Sequence, residues 1–307
     1  MTQTAEPIVA APPWRFFRTE VRKVVRLSPH FVRVTFTGDD LDHFADNGFD
    51  QRIKLIPPLP GHGLGHLPTG DDWYAEWRAL PDDRRNPIRT YTVRAVRPEL
   101  REVDLDMVLH DVAGPASRWA AEARPGSIAC LYAPNADHDG VHGGIDFRPP
   151  PHTDCLLLGG DETAVPAISS ILACLPPNAV GEALLEVPSG EDARELIAPP
   201  GVRVTWLGRD DAAHGDRLIP ALRQATRRIL GDGPAGPPAE LEDIDVDNDM
   251  LWEVPEPITD TSRFYAWLAG EAAVIKTLRR HLVSECGVDR RSVAFMGYWR
   301  LGKPEDV

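Results

Sequence analysis

The stretch IRTYTVR, residues 88–94, lines up side chains that can bind a phosphate and a flat aromatic ring. Because side chains alternate along a strand, Arg89 and Tyr91 share one face. Thr90 and Thr92 share the opposite face. A guanidinium offers a planar fork of donors to phosphate oxygens, and a tyrosine offers an aromatic surface. An ordinary surface strand with cross-strand Arg and Thr pairs is the alternative.

A second segment, VLHDVAGPASRWA at 108–120, predicts a strand end, a turn containing glycine and the start of a helix. The backbone N–H groups of Gly114, Ala116 and Ser117 can point at a pyrophosphate there. Ser117 can also serve as the N-cap of the helix. A capped helix at the corner of a barrel is the alternative, but the two segments together are more specific for a bound dinucleotide than either one alone.

The elements around these segments predict a small antiparallel barrel in the first half of the chain. Its strands are expected at 16–38 with a break at 27–30, at 52–58, at 88–97, at 102–110 and at 127–134. A helix is expected at 113–123. The segment 59–87 is predicted to be a long loop, and loops of that length are usually functional or mobile.

In the second half the hydrophobic pattern changes from alternation to continuous apolar runs that alternate with helices. This pattern predicts a doubly wound parallel sheet. DCLLLGG at 154–160 is a continuous apolar run, which is typical of a buried parallel strand. Strands and helices then alternate, interrupted by an acidic Gly- and Pro-rich excursion at 231–260. The turn-rich stretch 135–152 predicts a boundary between two domains, 1–148 and 149–307. A barrel followed by a nucleotide-type α/β domain is the layout of flavin reductases.

At this point the sequence resembles the siderophore-interacting proteins, FAD-containing ferric-siderophore reductases of the ferredoxin-reductase superfamily. The matching segments are IKLIPP (53–58), RTYTVR (89–94), LHDVAGPASRWA (109–120), LLLGGDETAVPAI (156–168), WLAGEAAVIKTLRRHL (267–282) and GYWRLGKPED (297–306). The resemblance implies an FAD-binding barrel, an NAD(P)-binding-type α/β domain and FAD held non-covalently between them. It assigns the flavin-binding strand to Arg89, Thr90, Tyr91 and Thr92, and the pyrophosphate and adenine region to His110, Gly114, Ala116 and Ser117.

The segment GGDETAVPAI, 159–168, lacks the G-x-G-x-x-G spacing and is not an ordinary Rossmann fingerprint. The resemblance places Asp161, Thr163 and Ala164 beside the flavin and the nicotinamide path, with Thr163 as the expected helix cap. Acidic residues at a helix N-terminus are also favoured by the helix dipole alone, which is the alternative for Asp161 and its neighbour Glu162.

The electron donor is expected to meet two further residues. Arg209 ends a parallel strand, where a cation can meet the 2′-phosphate of NADPH, although a plain surface arginine fits equally well. Glu271 lies in WLAGEAA, which resembles the other nicotinamide-side loop of the superfamily. We therefore expect NADPH to reduce the flavin faster than NADH. Because the family includes members that use ferredoxin, the donor stays open between NADPH, NADH and ferredoxin.

The substrate implied by the resemblance is a ferric siderophore, a bulky and often anionic chelate that needs positive charge beside the flavin edge. The candidate cations are Lys54, Arg118, Arg300 and Lys303. Each one alone is an ordinary surface cation, so the prediction depends on their convergence in an acidic protein. Tyr298 and Trp299 either cover the flavin or adenine or pack in the core.

No catalytic residue is assigned, because outer-sphere electron transfer needs no acid–base group and the redox chemistry belongs to the flavin. The histidines, His62 and His66 included, predict no metal site, and the four cysteines show no CxxC spacing. A net charge of −14 argues against nucleic acid as a partner. Since no signal peptide or membrane-length apolar run is visible, a cytoplasmic protein without membrane insertion is expected.

Two other functions stay open on the sequence alone. One is a general flavin or ferredoxin-type reductase that feeds another protein. The other is a flavin-bearing binder that carries a siderophore without reducing it.

Overall fold

Six antiparallel strands in the first half close into the predicted barrel. The structure is a computed structural model that describes residues 10–109, 114–231, 250–256 and 263–303. Around the barrel the order is β1-β2-β5-β4-β3-β6. The strands are β1 (Trp14–Ser28), β2 (Phe31–Thr37), β3 (Arg52–Ile56), β4 (Arg89–Arg97), β5 (Glu102–Val108) and β6 (Ile128–Pro134).

Apolar side chains at alternate positions fill the barrel, as the strand period requires. Phe17, Val34 and Ile53 are fully buried in one cluster. The helix α2 (Pro115–Glu122) adds Ala116 and Ala120 to the same cluster, so it packs against the barrel interior. Its N-cap is Gly114, with Pro115 at the first helical position. The prediction that Ser117 caps this helix is therefore wrong, because the helix begins two residues earlier.

The segment 59–87 is more ordered than the predicted loop. It contains the helix α1 (Trp73–Ala79), which places Trp73 and Trp77 one turn apart on the same side of the helix. The Trp77 indole is buried and donates to the carbonyl oxygen of Asn86 at 2.8 Å. Both tryptophans join an apolar cluster that also contains Ile56 and Ile88. Burial of these rings explains why the segment folds onto the barrel.

The second sheet has six strands in the order β10-β12-β11-β7-β8-β9. Five are parallel, as predicted, and the short β10 pairs antiparallel with β12. The strands are β7 (Cys155–Gly160), β8 (Val180–Val187), β9 (Gly201–Gly208), β10 (Trp252–Glu253), β11 (Phe264–Glu271) and β12 (Val293–Trp299). The helices are α3 (Val165–Cys174), α4 (Leu218–Leu230) and α5 (Ala272–Arg279), the last continued by a π turn over Arg280–Glu285.

The predicted boundary between residues 148 and 149 falls in a stretch without helix or strand that links β6 to β7. The division into two domains stays a prediction. Most of the acidic excursion predicted at 231–260 lies outside the described residues. No helix within the described ranges is both long and apolar enough to span a bilayer.

One buried carboxylate ties the barrel to the second sheet. Asp192, fully buried after β8, accepts hydrogen bonds from the hydroxyl of Ser28 (2.7 Å), from the backbone N–H of His30 (2.9 Å) and from its ring (2.8 Å). Burial raises the pKa of Asp192, but the donors on Ser28 and His30 outweigh it and hold the pKa below its usual value. The ionised form is therefore favoured by folding.

We expect Asp192→Ala to lower the free energy of unfolding by about 3 kcal/mol at pH 7, because Ser28 and His30 lose their acceptor. Since the folded pKa lies below the unfolded value, the contribution of Asp192 is complete above about pH 4 and is lost as the pH falls through the folded pKa. The difference from the wild type should therefore shrink in acid. Urea unfolding of both proteins at pH 7 and at an acidic pH below about 4 measures this difference in the free energy of unfolding.

The matched control is Glu191→Ala, which removes an exposed carboxylate one residue away. An equal effect of both substitutions, or a difference from wild type that does not change with pH, would contradict the role of Asp192.

Candidate functional site

The outer face of β3 and β4 brings together two residues that the sequence assigned to different ligands. Lys54 pairs with Thr90, and Arg52 pairs with Thr92, in the antiparallel register. The Lys54 ammonium donates to the Thr90 hydroxyl at 2.8 Å. The predicted substrate cation and the predicted flavin strand are therefore neighbours.

The inner side of the same strand carries the residues predicted for the cofactor's phosphates and ring. Tyr91 is half-buried and packs against the barrel cluster. Arg89, at the start of β4, is also half-buried, and one of its terminal nitrogens donates to the Ile88 carbonyl at 2.7 Å. Both side chains are thus supported by the barrel while part of each stays exposed.

The N-terminus of α2 supplies the geometry that a diphosphate needs. The first-turn N–H groups of a helix lack carbonyl partners inside the helix and favour anions. Gly114 is exposed, and among the described residues a Cβ added there would meet nothing within 4 Å. Ala116 and Ser117 are buried in the first turn, and Arg118 is exposed beside them. His110 lies outside the described residues.

These groups fit FAD. A guanidinium and a helix N-terminus suit the diphosphate, the Tyr91 ring suits a flat ring system, and Thr92 beside it supplies a hydroxyl. The fit rests on the exposure of Gly114 and on the chemistry of this donor set.

At the carboxyl edge of the second sheet, one buried carboxylate joins three strands. Asp161 accepts from the Thr163 backbone and hydroxyl (2.9 and 2.5 Å), from the Glu271 backbone (2.7 Å) and from the Trp299 indole (2.8 Å). Burial, with the Glu162 carboxylate second, raises the pKa of Asp161 to about 7. Asp161 thereby fixes the ends of β7, β11 and β12 relative to one another.

A close approach of backbone to Asp161 explains one glycine. Gly270 has a φ of 150°, and a Cβ there would lie 2.6 Å from a carboxylate oxygen of Asp161. Only glycine satisfies both conditions. The N-cap of α3 is Ala164, whereas Thr163 is turned back to Asp161. The prediction that Thr163 caps α3 is therefore wrong.

Arg209 is buried rather than presented to a ligand. Its two terminal nitrogens donate to the two carboxylate oxygens of Glu162 at 2.9 and 3.0 Å, and Glu186 lies 3.5 Å away. Only 8% of the residue is exposed. Because the fork of the guanidinium is already filled, the structure gives Arg209 a structural partner. Its binding to a 2′-phosphate stays a prediction.

The carboxylate of Glu271 is likewise engaged in hydrogen bonds within the protein. Its carboxylate caps α5 by accepting from the backbones of Ala273 (2.8 Å) and Val274 (3.0 Å), and it also accepts from Leu301 (3.3 Å). Arg300 and Lys303 bracket the turn that contains Leu301. Glu271 therefore positions the segment that carries two of the predicted substrate cations.

The two aromatic residues at the end of β12 have separate environments. Tyr298 stacks on Trp252, with ring centroids 5.6 Å apart, and its phenol is buried. Of its two predicted alternatives, core packing is the one observed. Trp299 binds Asp161 through its indole and meets the His214 ring edge to face at 4.8 Å.

Sequence reasoning missed Arg52, which links the barrel to this edge. Its guanidinium pairs with Asp146 at 2.7 Å and lies over the Trp252 ring at 4.7 Å. The sequence did indicate that Arg52 lies near the site, because alternation along RIKLI puts Arg52 on the same face of the strand as Lys54. Its partners Asp146 and Trp252 are remote in sequence and gave no signal.

Helix α3 lies against both groups of residues. It begins four residues after Asp161, and its Ser170 hydroxyl donates to the Val93 carbonyl of β4 at 3.0 Å. One helix thus fixes the carboxyl edge of the sheet relative to the predicted flavin strand.

Comparison with known proteins agrees with this arrangement in both halves. Residues 20–138 match the profile of the siderophore-interacting FAD-binding domain, and residues 153–302 match that of the siderophore-interacting protein. A barrel with an FAD-binding sequence, followed by a parallel sheet, defines a flavoprotein fold. The chain belongs to the siderophore-interacting protein family.

Individual relatives cover nearly the whole chain. An uncharacterised protein of Mycobacterium tuberculosis is 36% identical over 94% of this chain and 91% of its own length. The ferric vibriobactin reductase ViuB of Vibrio cholerae is 30% identical over 92% of this chain and 88% of its own. The crystal structure of the siderophore-interacting protein SipS from Aeromonas hydrophila is 28% identical, with a TM-score of 0.67 over 95% of this chain and 94% of that one.

The buried ion pair of Arg209 with Glu162 predicts how substitution of Arg209 changes the stability of the protein. Arg209→Met leaves the carboxylate of Glu162 buried without its partner, so we expect a loss of about 3–5 kcal/mol in the free energy of unfolding. Adding Glu162→Gln removes the stranded charge and should restore part of the loss. Chemical denaturation of both variants and of the wild type measures this.

A different outcome would instead assign Arg209 to the binding of NADPH. If Arg209→Met unfolds like the wild type and instead abolishes a preference for NADPH over NADH in stopped-flow bleaching of the flavin, the 2′-phosphate role of Arg209 is correct and the structural one is wrong.

Proposed function

We propose that this chain is an FAD-dependent ferric-siderophore reductase that draws its electrons from NAD(P)H. The observation that carries the proposal is the contact between Lys54 and Thr90, which puts a cation for an anionic chelate directly on the predicted flavin strand. The match of both halves to the family profiles and the similarity to ferric vibriobactin reductase support the same function.

The chain's own residues have three tasks in this reaction. Arg89 and the first turn of α2 bind the diphosphate of FAD, and Tyr91 supports its ring. Thr92, buried on the outer face of β4, offers a hydroxyl at the ring edge. FAD, when bound, accepts a hydride and passes electrons on singly.

The cations complete the site for the substrate. Lys54 orients an anionic chelate at the barrel face, and Arg300 and Lys303 extend from the last strand of the sheet. Fe(III) is held by oxygen donors more tightly than Fe(II), because it is harder and more highly charged. One electron therefore weakens the complex, and the protein needs only to bind both partners close together and to exclude bulk water.

NAD(P)H is the donor we favour, since the second sheet has the parallel order of dinucleotide-binding folds. Anaerobic titration with NADPH, NADH and reduced ferredoxin, followed at the flavin band, tests the donor. Reduction by ferredoxin alone would overturn NAD(P)H as the donor and leave the reductase function intact.

Arg89→Ala should weaken FAD binding by roughly 10- to 100-fold, because a charge-assisted contact contributes about 1.5–3 kcal/mol. Titration of FAD into flavin-free protein, followed by flavin fluorescence, gives the dissociation constants. The control Arg124→Ala removes an exposed arginine after α2 and should bind like the wild type. Equal affinities of all three proteins would contradict the role of Arg89.

Lys54→Gln should lower kcat/KM for an anionic ferric catecholate about fivefold, since one exposed charge contributes about 1 kcal/mol. Glutamine keeps a donor for Thr90, so the charge is the main change. An uncharged ferric hydroxamate should lose much less. The rate of Fe(II) formation with a coloured Fe(II) chelator measures both.

Lys23→Gln, on the exposed face of β1, is the matched control for loss of one lysine. If Lys54→Gln slows both chelates equally, or if Lys23→Gln slows the catecholate as much, electrostatic binding by Lys54 is wrong.

A further inference from the structure

Two histidines on the segment after β3 lie at the spacing of a metal chelate. The ring centroids of His62 and His66 are 5.2 Å apart. Two imidazole nitrogens about 2.1 Å from one metal, at a ligand angle of roughly 90–109°, place the ring centroids about 4.6–5.3 Å apart. The observed pair falls within that interval although the residues lie in a loop.

The loop that carries these rings is fixed by its backbone. Gly61 and Gly63 have φ values of 73° and 59°, which glycine adopts without strain. The amide of Asn86 donates to the carbonyls of Pro57 and Gly63, both at 2.9 Å, and Asn86 is fully buried. The turn between the two histidines is therefore held in place by hydrogen bonds from Asn86, and this fixes the spacing of the two rings.

The ring nitrogens of His62 and His66 have no hydrogen-bond partner within the described part of the chain. The other close pair, His138 and His142, differs: its rings bond to the carbonyls of Ala11 and Asn135 and to the side chain of Asn47. The second pair is therefore occupied by the protein itself. No described side chain or carbonyl occupies the rings of the first pair in this way.

The loop lies beside the proposed substrate face. Leu64 and Leu67, which flank His66, pack in the cluster that contains Tyr132. Tyr132 pairs with Lys54 in the register of β3 and β6. The neighbours of His66 in sequence thus pack in the same cluster as Tyr132, the residue opposite Lys54 in the barrel.

We propose that His62 and His66 form a binding site for a divalent first-row metal ion, and that Fe(II) released from the reduced chelate is the ion it receives. The second statement rests on the proposed function. One electron passes from the reduced flavin to Fe(III), which becomes Fe(II), and the flavin is oxidised by one electron per iron. Two oxygen donors of the siderophore leave the iron, and two imidazole nitrogens replace them.

The ligand chemistry gives this exchange its direction. Imidazole suits divalent iron, whereas the oxygen-rich chelate is selective for Fe(III). Reduction therefore weakens the chelate's hold on iron, while the imidazole ligands nearby accept the product. Water can fill the remaining positions, so the site is open and the ion can leave it.

Binding is tested without turnover. Full-length, FAD-loaded protein is titrated with Co²⁺, and anaerobically with Fe²⁺, by calorimetry and by the Co²⁺ absorption bands. We expect one strong ion per chain, and at least tenfold weaker binding in His62→Ala and in His66→Ala. The control His152→Ala removes an exposed single histidine and should bind like the wild type. No binding by the wild type, or equal binding by all four proteins, would overturn the site.

The role is tested by one anaerobic turnover with a ferric catecholate and no added Fe(II) chelator, followed by rapid desalting. Iron should elute with the wild type and be lost from both histidine variants. Flavin reoxidation in the same sample reports electron transfer separately. If the flavin is not reoxidised, the proposed reductase function fails while the Co²⁺ result still decides the site. If it is reoxidised and no iron is retained, the acceptor role is wrong.

Discussion

The buried carboxylate of Asp161 is the constraint on which the carboxyl edge of the second sheet depends. It accepts four hydrogen bonds, from the turn after β7, from the end of β11 and from the end of β12. It holds the Trp299 indole at the end of β12, while Glu271 positions the following segment with Arg300. The turn that Asp161 fixes leads into α3, and α3 bonds to β4, the predicted flavin strand, through Ser170.

Charge is distributed unequally between the two sides of the site. The barrel face presents Lys54 and Arg52, while the sheet edge buries Asp161, Glu162 and Glu186 around a single guanidinium. In a protein with a net charge of −14, Lys54 therefore adds positive charge at the face where an anionic chelate is proposed to bind, whereas Arg52 is paired with Asp146. Buried carboxylates at the sheet edge serve as acceptors for backbone and indole donors, which is a structural use.

The barrel, the parallel sheet and their order could be predicted from the sequence because each depends on a local period. Alternation in β4 and the continuous apolar run of β7 are such periods. The pair of Arg209 with Glu162 could not, because the partners are 47 residues apart and meet only when β7 and β9 enter one sheet. The helix within 59–87 was missed for a related reason, since it depends on burial of Trp77 against Ile56 and Ile88.

The helix ends of the second sheet limit where a dinucleotide donor can bind. Helix N-termini usually receive phosphates in such folds, but here Glu186 accepts from the backbones of Gly215, Arg217 and Leu218 at the start of α4, and Glu271 caps α5. Among α3, α4 and α5, the helix α3 is the one whose first turn has no side-chain acceptor among the described residues. The helix α3 begins four residues after Asp161, and its Ser170 bonds to β4, the predicted flavin strand. Because Asp161 and Glu162 lie just before α3, carboxylates adjoin the starts of all three helices, and α3 differs in leaving its first-turn N–H groups without a side-chain acceptor among the described residues.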